Sequence, residues 1–371
     1  MITAGLGILL LCIATHALMI EKNFYKQLGI TSLSLSCLLG LIIGVFFTRN
    51  TYVALLAGTV IFCFLAYKRA YVSLIFFILF SCAGIYRYHM VQSSADKYLH
   101  YLKKQKNLTG TIVSKKKKRK FLHVYGLKIE ESEATKSETP ILFFESENVL
   151  CIGDTIQLRQ PTLHSIDTKN DFKIFLLKNQ AFCYLHERDI DDVWVIKRPA
   201  FSWLRYFDNQ RNKLLWACKK GLSWSSKNIF GLVFFGSKNE PGAGDIGHLF
   251  NLWGIVHYVA RSGMHIVILL SSWQYLFQFI PIPLFAKDFL AILFVVSYDL
   301  LTFSSLSFSR AYYTFVFDKA QLWLTGRSNA MHALFFIAFM TVWISPCVIF
   351  GLDFQLSYGL TAALLLLGKI I

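Results

Sequence analysis

The chain has 371 residues, 55% hydrophobic and 16% aromatic, with 38 Lys and Arg against 22 Asp and Glu. A soluble domain is about 45–50% apolar, and the excess here comes in long uncharged runs. A single soluble globule is therefore excluded, and a polytopic α-helical membrane protein is expected. The formal charge of +16 suits cytoplasmic loops, anionic lipid or a polyanionic partner, and composition does not separate the three.

Residues 1–90 read as N-terminal transmembrane helices. The apolar run 4–20 has no basic stretch before it, and no small-residue cleavage site precedes the next apolar run, so a retained helix is expected. Runs 28–47, 51–67 and 70–86 follow, the last two split only by Lys68 and Arg69. They are long enough to span, although one of the final pair could be re-entrant. Lys22, Lys26, Lys68 and Arg69 would share one side against Arg49 on the other. The positive-inside rule then places the N-terminus, and the chain just after residue 87, outside the cytoplasm.

Residues 91–200 change character. Alternating runs Leu108 to Val113, Phe121 to Tyr125, Ile141 to Phe144 and Asp154 to Leu158 read as strands between polar turns. Five or so short strands suggest a small extracytoplasmic β-barrel of OB type, inserted between two helix blocks. Lys115, Lys116, Lys117, Lys118, Arg119 and Lys120 lie between the first two strands. They fit a solvated hairpin tip or a contact with nucleic acid or lipid head groups. Cys151 and Cys183 are the two cysteines here, open to a disulfide or to two free thiols.

Residues 201–224 form an amphipathic basic segment. Phe201, Leu204, Phe207, Leu214, Leu215 and Cys218 interleave with Arg205, Arg211, Lys213, Lys219 and Lys220, as suits a helix lying on a membrane interface. Residues 225–371 hold a short apolar run at 229–236, a glycine-rich loop to Gly247, and apolar runs at 265–280, 284–303, 308–324, 332–350 and 354–371.

The stretch from Gly254 to His265 sits among these runs yet carries His257, Arg261, Ser262, Gly263 and His265. Polar groups at membrane depth usually face a cavity or pathway, and glycines beside them suggest interrupted helices. A Ser/His nucleophile is conceivable, but no orienting acid is evident, and two histidines lack a third metal ligand. The chain has no phosphate loop, no H-E-x-x-H motif and no G-x-S-x-G elbow. No enzyme activity, cofactor or metal site is expected. Further along, Asp299 and Arg310 flank a turn at 302–307 and could pair. Arg327 follows a helix end and reads as interfacial, Asp353 as an N-cap, and His16 and His332 as structural histidines.

Taken in order, these residues resemble the ComEC competence family. Gly254, His257, Ala260, Ser262, Gly263 and His265 match its opening Gly-x-x-His-x-x-Ala-x-Ser-Gly-x-His pattern. Ser309, Arg310 and Ala311 resemble its Ser-x-x-Arg-Ala element, Gly326 and Arg327 its Gly-Arg pair, and Pro346 with Phe354, Gln355, Leu356 and Ser357 its closing stretch. Asn170 to Phe172, with Gln180 and Ala181, resemble the end of the family's OB-like domain. Arg261 departs from the pattern, standing where the family usually has an aliphatic residue. Many members also carry further helices and a metallo-β-lactamase-like domain beyond the point where this sequence ends.

The resemblance implies import of single-stranded DNA across the cytoplasmic membrane during natural transformation. The implied partners are DNA, membrane lipid, a DNA receptor, a cytoplasmic helicase or DNA-binding proteins, and a separate metallo-β-lactamase-like domain. A membrane-embedded Ser/His hydrolase and a carrier of a small anionic solute or lipid are the alternatives.

Overall fold

The computed structural model describes residues 29–67, 70–117, 122–129, 141–159, 161–162, 176–179, 181–190, 192–199, 201–235, 252, 263–302 and 306–367. The expected helix at 4–20, the glycine-rich loop and the stretch from Gly254 to Ser262 lie outside them. The described residues form helices α1 (Gly29–Arg49), α2 (Thr51–Tyr67) and α3 (Tyr71–Lys104), then strands β1 (Asn107–Lys117), β2 (His123–Ile129), β3 (Ile141–Ser146), β4 (Thr155–Arg159), β5 (Ala181–Leu185) and β6 (Asp192–Lys197). Seven helices follow: α4 (Trp203–Lys219), α5 (Trp224–Phe235), α6 (Gly263–Phe277), α7 (Leu284–Leu300), α8 (Leu306–Thr325), α9 (Ala330–Ile344) and α10 (Leu352–Leu367). The chain divides into two compact units, one of residues up to Ser94 and from Arg310, the other from Ala95 to Ser309.

In the first unit, α1 packs along α2 and α9. It also crosses α3 at Gly40 and Gly44, a Gly-x-x-x-Gly pair. A Cβ on either would collide with backbone of α3, at the Phe77 and Ser81 carbonyl oxygens respectively, and one on Gly84 would stand 2.5 Å from the Leu41 carbonyl oxygen. Backbones this close are the usual way helices associate in lipid, where apolar side chains gain little from leaving the tails. Arg87 Nε donates to the Trp343 carbonyl at 3.1 Å, and Phe80 meets Phe339 edge-on, so α3 also holds the end of α9.

By length and composition, α3 is the one described helix long and apolar enough to cross a membrane; α1 (from Ser34), α2, α6, α9 and α10 are shorter apolar helices. The expected boundary at residue 90 falls inside α3, because Ala95, Tyr98 and Leu102 continue the helix on a buried face. The sheet domain accordingly starts at Asn107. The run 332–350 is not one helix: Pro346, which cannot donate to the preceding turn, opens a tight 3-10 turn over 346–350. Asp353 lies in the first turn of α10, behind Gly351, whose carbonyl accepts from the amides of Phe354 and Gln355.

In the second unit the strands form one mixed six-stranded sheet in the order β5-β3-β2-β1-β4-β6. All pairs are antiparallel except β3 with β5. β1 carries a bulge between Ile112 and Ser114 and pairs with both β2 and β4. Ile112, Tyr125, Leu127, Phe144, Ile156 and Leu158 are fully buried, and Tyr98 and Leu102 of α3 close the same core. The four expected strands are present; among the described residues the pairings leave β5 and β6 as the two edges, and closure into the expected barrel is not seen.

Candidate functional site

The polar residues that converge most closely lie on α8, α9 and α10 of the first unit. Arg310 projects from α8 toward α10. Its Nη1 donates to the Ser357 carbonyl at 2.8 Å and to the Thr361 hydroxyl. Thr361 donates back to the Ser357 carbonyl at 2.8 Å. The guanidinium lies over the Tyr358 ring, 5.9 Å from its centroid, and the Tyr358 hydroxyl meets Thr341 of α9 at 2.9 Å. Gln355 Nε2 donates to the Ile349 carbonyl at 2.9 Å, fixing the turn before α10.

Two atoms on this face of α8 stand apart. Arg310 Nε and, one turn on, Thr314 Oγ1 are buried with no hydrogen-bond partner among the described residues. Leaving such groups unmatched costs about 1–3 kcal/mol each, more for a charge. A cation held among apolar helices with one donor uncommitted is suited to an anionic oxygen.

Arg310 and Ser357 are thus brought together, Ser357 through its backbone carbonyl, whereas Gln355 turns to the Ile349 carbonyl. Asp299 lies near the end of α7 in the other unit, whereas Arg310 donates to Ser357 and Thr361 of α10. Arg327 is exposed beyond Gly326, whose φ of 68° turns the chain between α8 and α9. His332 keeps a structural role, its Nδ1 3.2 Å from the Ser34 hydroxyl. Gly263 opens α6 and is buried, with His265 half-buried two residues on, in the first turn. Gly254, His257, Arg261 and Ser262 lie outside the described residues. Sequence reasoning missed Tyr358, Thr361, Thr341 and Thr314. The four-residue spacings from Arg310 to Thr314 and from Ser357 to Thr361 are the signal that could have found Thr314 and Thr361, while Tyr358 and Thr341 carry none.

The second unit holds its own polar contacts. Lys115 is half-buried: Nζ donates to the Leu150 carbonyl at 3.1 Å and lies 5.6 Å from the Tyr125 ring centroid, so it faces inward rather than joining a solvated basic tip. Lys116 and Lys117 end β1, and Lys118, Arg119 and Lys120 lie outside the described residues. A Cys151–Cys183 disulfide is not formed. Cys151 is an exposed free thiol in the turn before β4, whereas Cys183 points into the core from β5 at the far edge of the sheet. Burial pushes the Cys183 thiol up to about 11. The Tyr184 hydroxyl donates to the buried Glu145 carboxylate, and burial with that carboxylate raises its pKa. His186 Nδ1 stands 3.5 Å from the other oxygen of Glu145.

Arg205 does not lie on the outward face of α4. Its Nη2 pairs with Asp154, whose side chain is fully buried, and its Nε donates to the Ile152 carbonyl at 3.1 Å. Gly153, at φ 86°, lets the turn approach Ser202, which would stand 2.6 Å from a Cβ there. Arg205 therefore ties the first turn of α4 to the loop before β4, while Trp203, Leu204 and Leu214 are exposed.

A largely buried arginine thus sits among apolar helices, a placement that is costly unless the group is matched. Residues 244–371 match the family model described as competence protein, so this part of the chain is similar to that family. No curated protein and no solved structure matches the chain.

Proposed function

We propose that the chain is an inner-membrane component of the channel that admits single-stranded DNA during natural transformation, with no enzymatic step of its own. The observation that carries this reading is Arg310, held by α10 with Nε uncommitted inside the competence domain. Phosphates cannot cross lipid bare, and a fixed guanidinium lowers the cost of each one passing. His257, Ser262 and His265 belong to the same path in this reading, as parts of a helix break rather than a catalytic pair.

The sheet domain is read as OB-like and extracytoplasmic. Its bulged β1, shared by β2 and β4, and its parallel β3–β5 pair fit a partly open Greek-key barrel. On its outer face Trp194 is exposed, with the Arg159 guanidinium 4.6 Å from its ring centroid, a surface on which a base can stack. A DNA receptor outside and a helicase or DNA-binding proteins inside complete the assembly in this reading.

The test is transformation frequency with membrane insertion measured in the same strains. Arg310→Ala is expected to lower uptake roughly tenfold or more, since a charge-assisted hydrogen bond is worth about 1.5–3 kcal/mol and 1.4 kcal/mol is a factor of ten. His257→Ala should lower it as well. Parental uptake by correctly inserted variants removes these residues from the path. Salt-dependent binding of single strands to the full chain, lost on Trp194→Ala, separates this reading from a carrier of small anions.

A further inference from the structure

An apolar cavity of about 100 Å³ lies between α1, α9 and α10, lined by Leu38 and Ile42, by Leu334 and Ala338, and by Gly359 and Ala362. It is half-open and borders α10 over residues 354–366, roughly 18 Å at about 1.5 Å per residue. Its two polar wall residues are both engaged elsewhere, Gln355 with the Ile349 carbonyl and Tyr358 with Thr341. An apolar cavity of this order stays dry and takes hydrocarbon.

One end of the groove has a different chemistry. Ser34, next to the lining residue Leu35, meets His332 on the first turn of α9. Arg327, exposed in the turn leading into α9, adds a cation at the same end. A long dry channel with hydrogen-bonding groups and a positive charge at one mouth matches an acyl chain and its phosphate head group.

We propose that this groove holds one acyl chain of an anionic phospholipid, its head group at the Ser34–His332 end beside Arg327. Tyr358 lines the groove and also lies under Arg310, so the bound chain backs the helix that presents the arginine's partners. The lipid site stands on the groove alone and does not require that DNA pass Arg310.

The full chain is reconstituted in vesicles of phosphatidylethanolamine and phosphatidylglycerol with a trace of phosphatidylglycerol bearing a diazirine on its acyl chain. After irradiation, labelled peptides are mapped. Label is expected to concentrate on α1, α9 and α10, and Gly359→Leu, which fills the groove, should reduce it several-fold. Arg327→Glu, an exposed change that leaves the groove walls intact, should reduce labelling by the phosphatidylglycerol probe roughly fivefold, the effect of about 1 kcal/mol per basic residue near a head group. It should leave labelling by a phosphatidylethanolamine probe unchanged. Label spread evenly over all apolar helices, or indifferent to both variants, overturns the site. So does a crosslink that places residues 4–20 of the chain itself in the groove.

Discussion

The sheet and the helices around α1 and α10 solve opposite packing problems with the same residue types. In the sheet, Ile112, Leu127, Phe144 and Ile156 are fully buried. In α10, Leu356, Leu360 and Leu364 remain 57%, 62% and 60% exposed, one apolar stripe turned outward at four-residue spacing. Polar groups are treated differently too. The sheet buries Asp154 and Tyr125 with every oxygen matched, whereas the helices bury Arg310 with Nε unmatched. Water drives the first arrangement; in lipid the apolar term vanishes between helices, and close backbone contact replaces it. An incomplete hydrogen-bond set is stable only where the rest of the bundle holds it, which is why the proposed path is drawn past Arg310 and not past Asp154.

The largest way to break the comparison is in the sheet unit. Asp154→Ala leaves the Arg205 guanidinium without its carboxylate and the Cys151 amide without an acceptor. A loss of about 3–5 kcal/mol is expected, because removing one partner strands the other. Thermal unfolding of the purified chain in detergent measures it, and Asp154→Leu with Arg205→Met should recover most of the loss. A smaller cost comes from alkali. The Cys183 thiol titrates near 11 when folded and near 9 when unfolded, so the neutral form is the stabilised one. Its contribution is whole below pH 9 and is lost as pH rises toward 11, about 2–3 kcal/mol in total. Cys183→Ala should remove that slope, and maleimide should label Cys151 but not Cys183 until the domain unfolds.

In the helical unit, the sharpest change is at the glycine crossing. Gly44→Leu drives a side chain into the Ser81 carbonyl and forces α1 from α3. About 1–3 kcal/mol is expected from overpacking, while Gly58→Leu, with only the Ile43 side chain near, should be tolerated. Equal effects at the two glycines would show that α1 and α3 do not meet as described.

Much of this was legible in sequence. Runs of apolar residues marked α1, α2 and α6 to α10, and period-two alternation marked β1 to β4, because both follow from side-chain spacing along a chain. The helical continuation to Lys104 was not legible: the apolar run stops near residue 86, and only contact with the sheet core explains Tyr98 and Leu102. The inward turn of Lys115 and the Asp154–Arg205 pair were hidden for the same reason, since each depends on a partner 35 or 51 residues away. Arg310, Gln355 and Ser357 were named from an ordered motif, but the contact of Arg310 with Ser357 needed the crossing of α8 and α10. The motif also gave no hint that Ser357 acts through its carbonyl while Thr361 supplies the hydroxyl.

The smallest predicted effects set the two regions side by side with one chemical change. Tyr125 donates its hydroxyl to the Asn148 carbonyl at 2.8 Å and accepts from the Leu150 amide at 3.1 Å. Tyr125→Phe therefore leaves the buried Leu150 amide without its acceptor, and about 1–3 kcal/mol should be lost. Tyr358→Phe removes a single bond, to Thr341, between two apolar helices. Hydrogen bonds of that kind in lipid average about 0.6 kcal/mol, because the separated helices find other partners. Parallel thermal melts of the two variants in the same detergent should show the sheet variant losing more. A larger loss at Tyr358 would mean that the cation under which its ring lies depends on that hydroxyl, and that the Arg310 cluster is structural first.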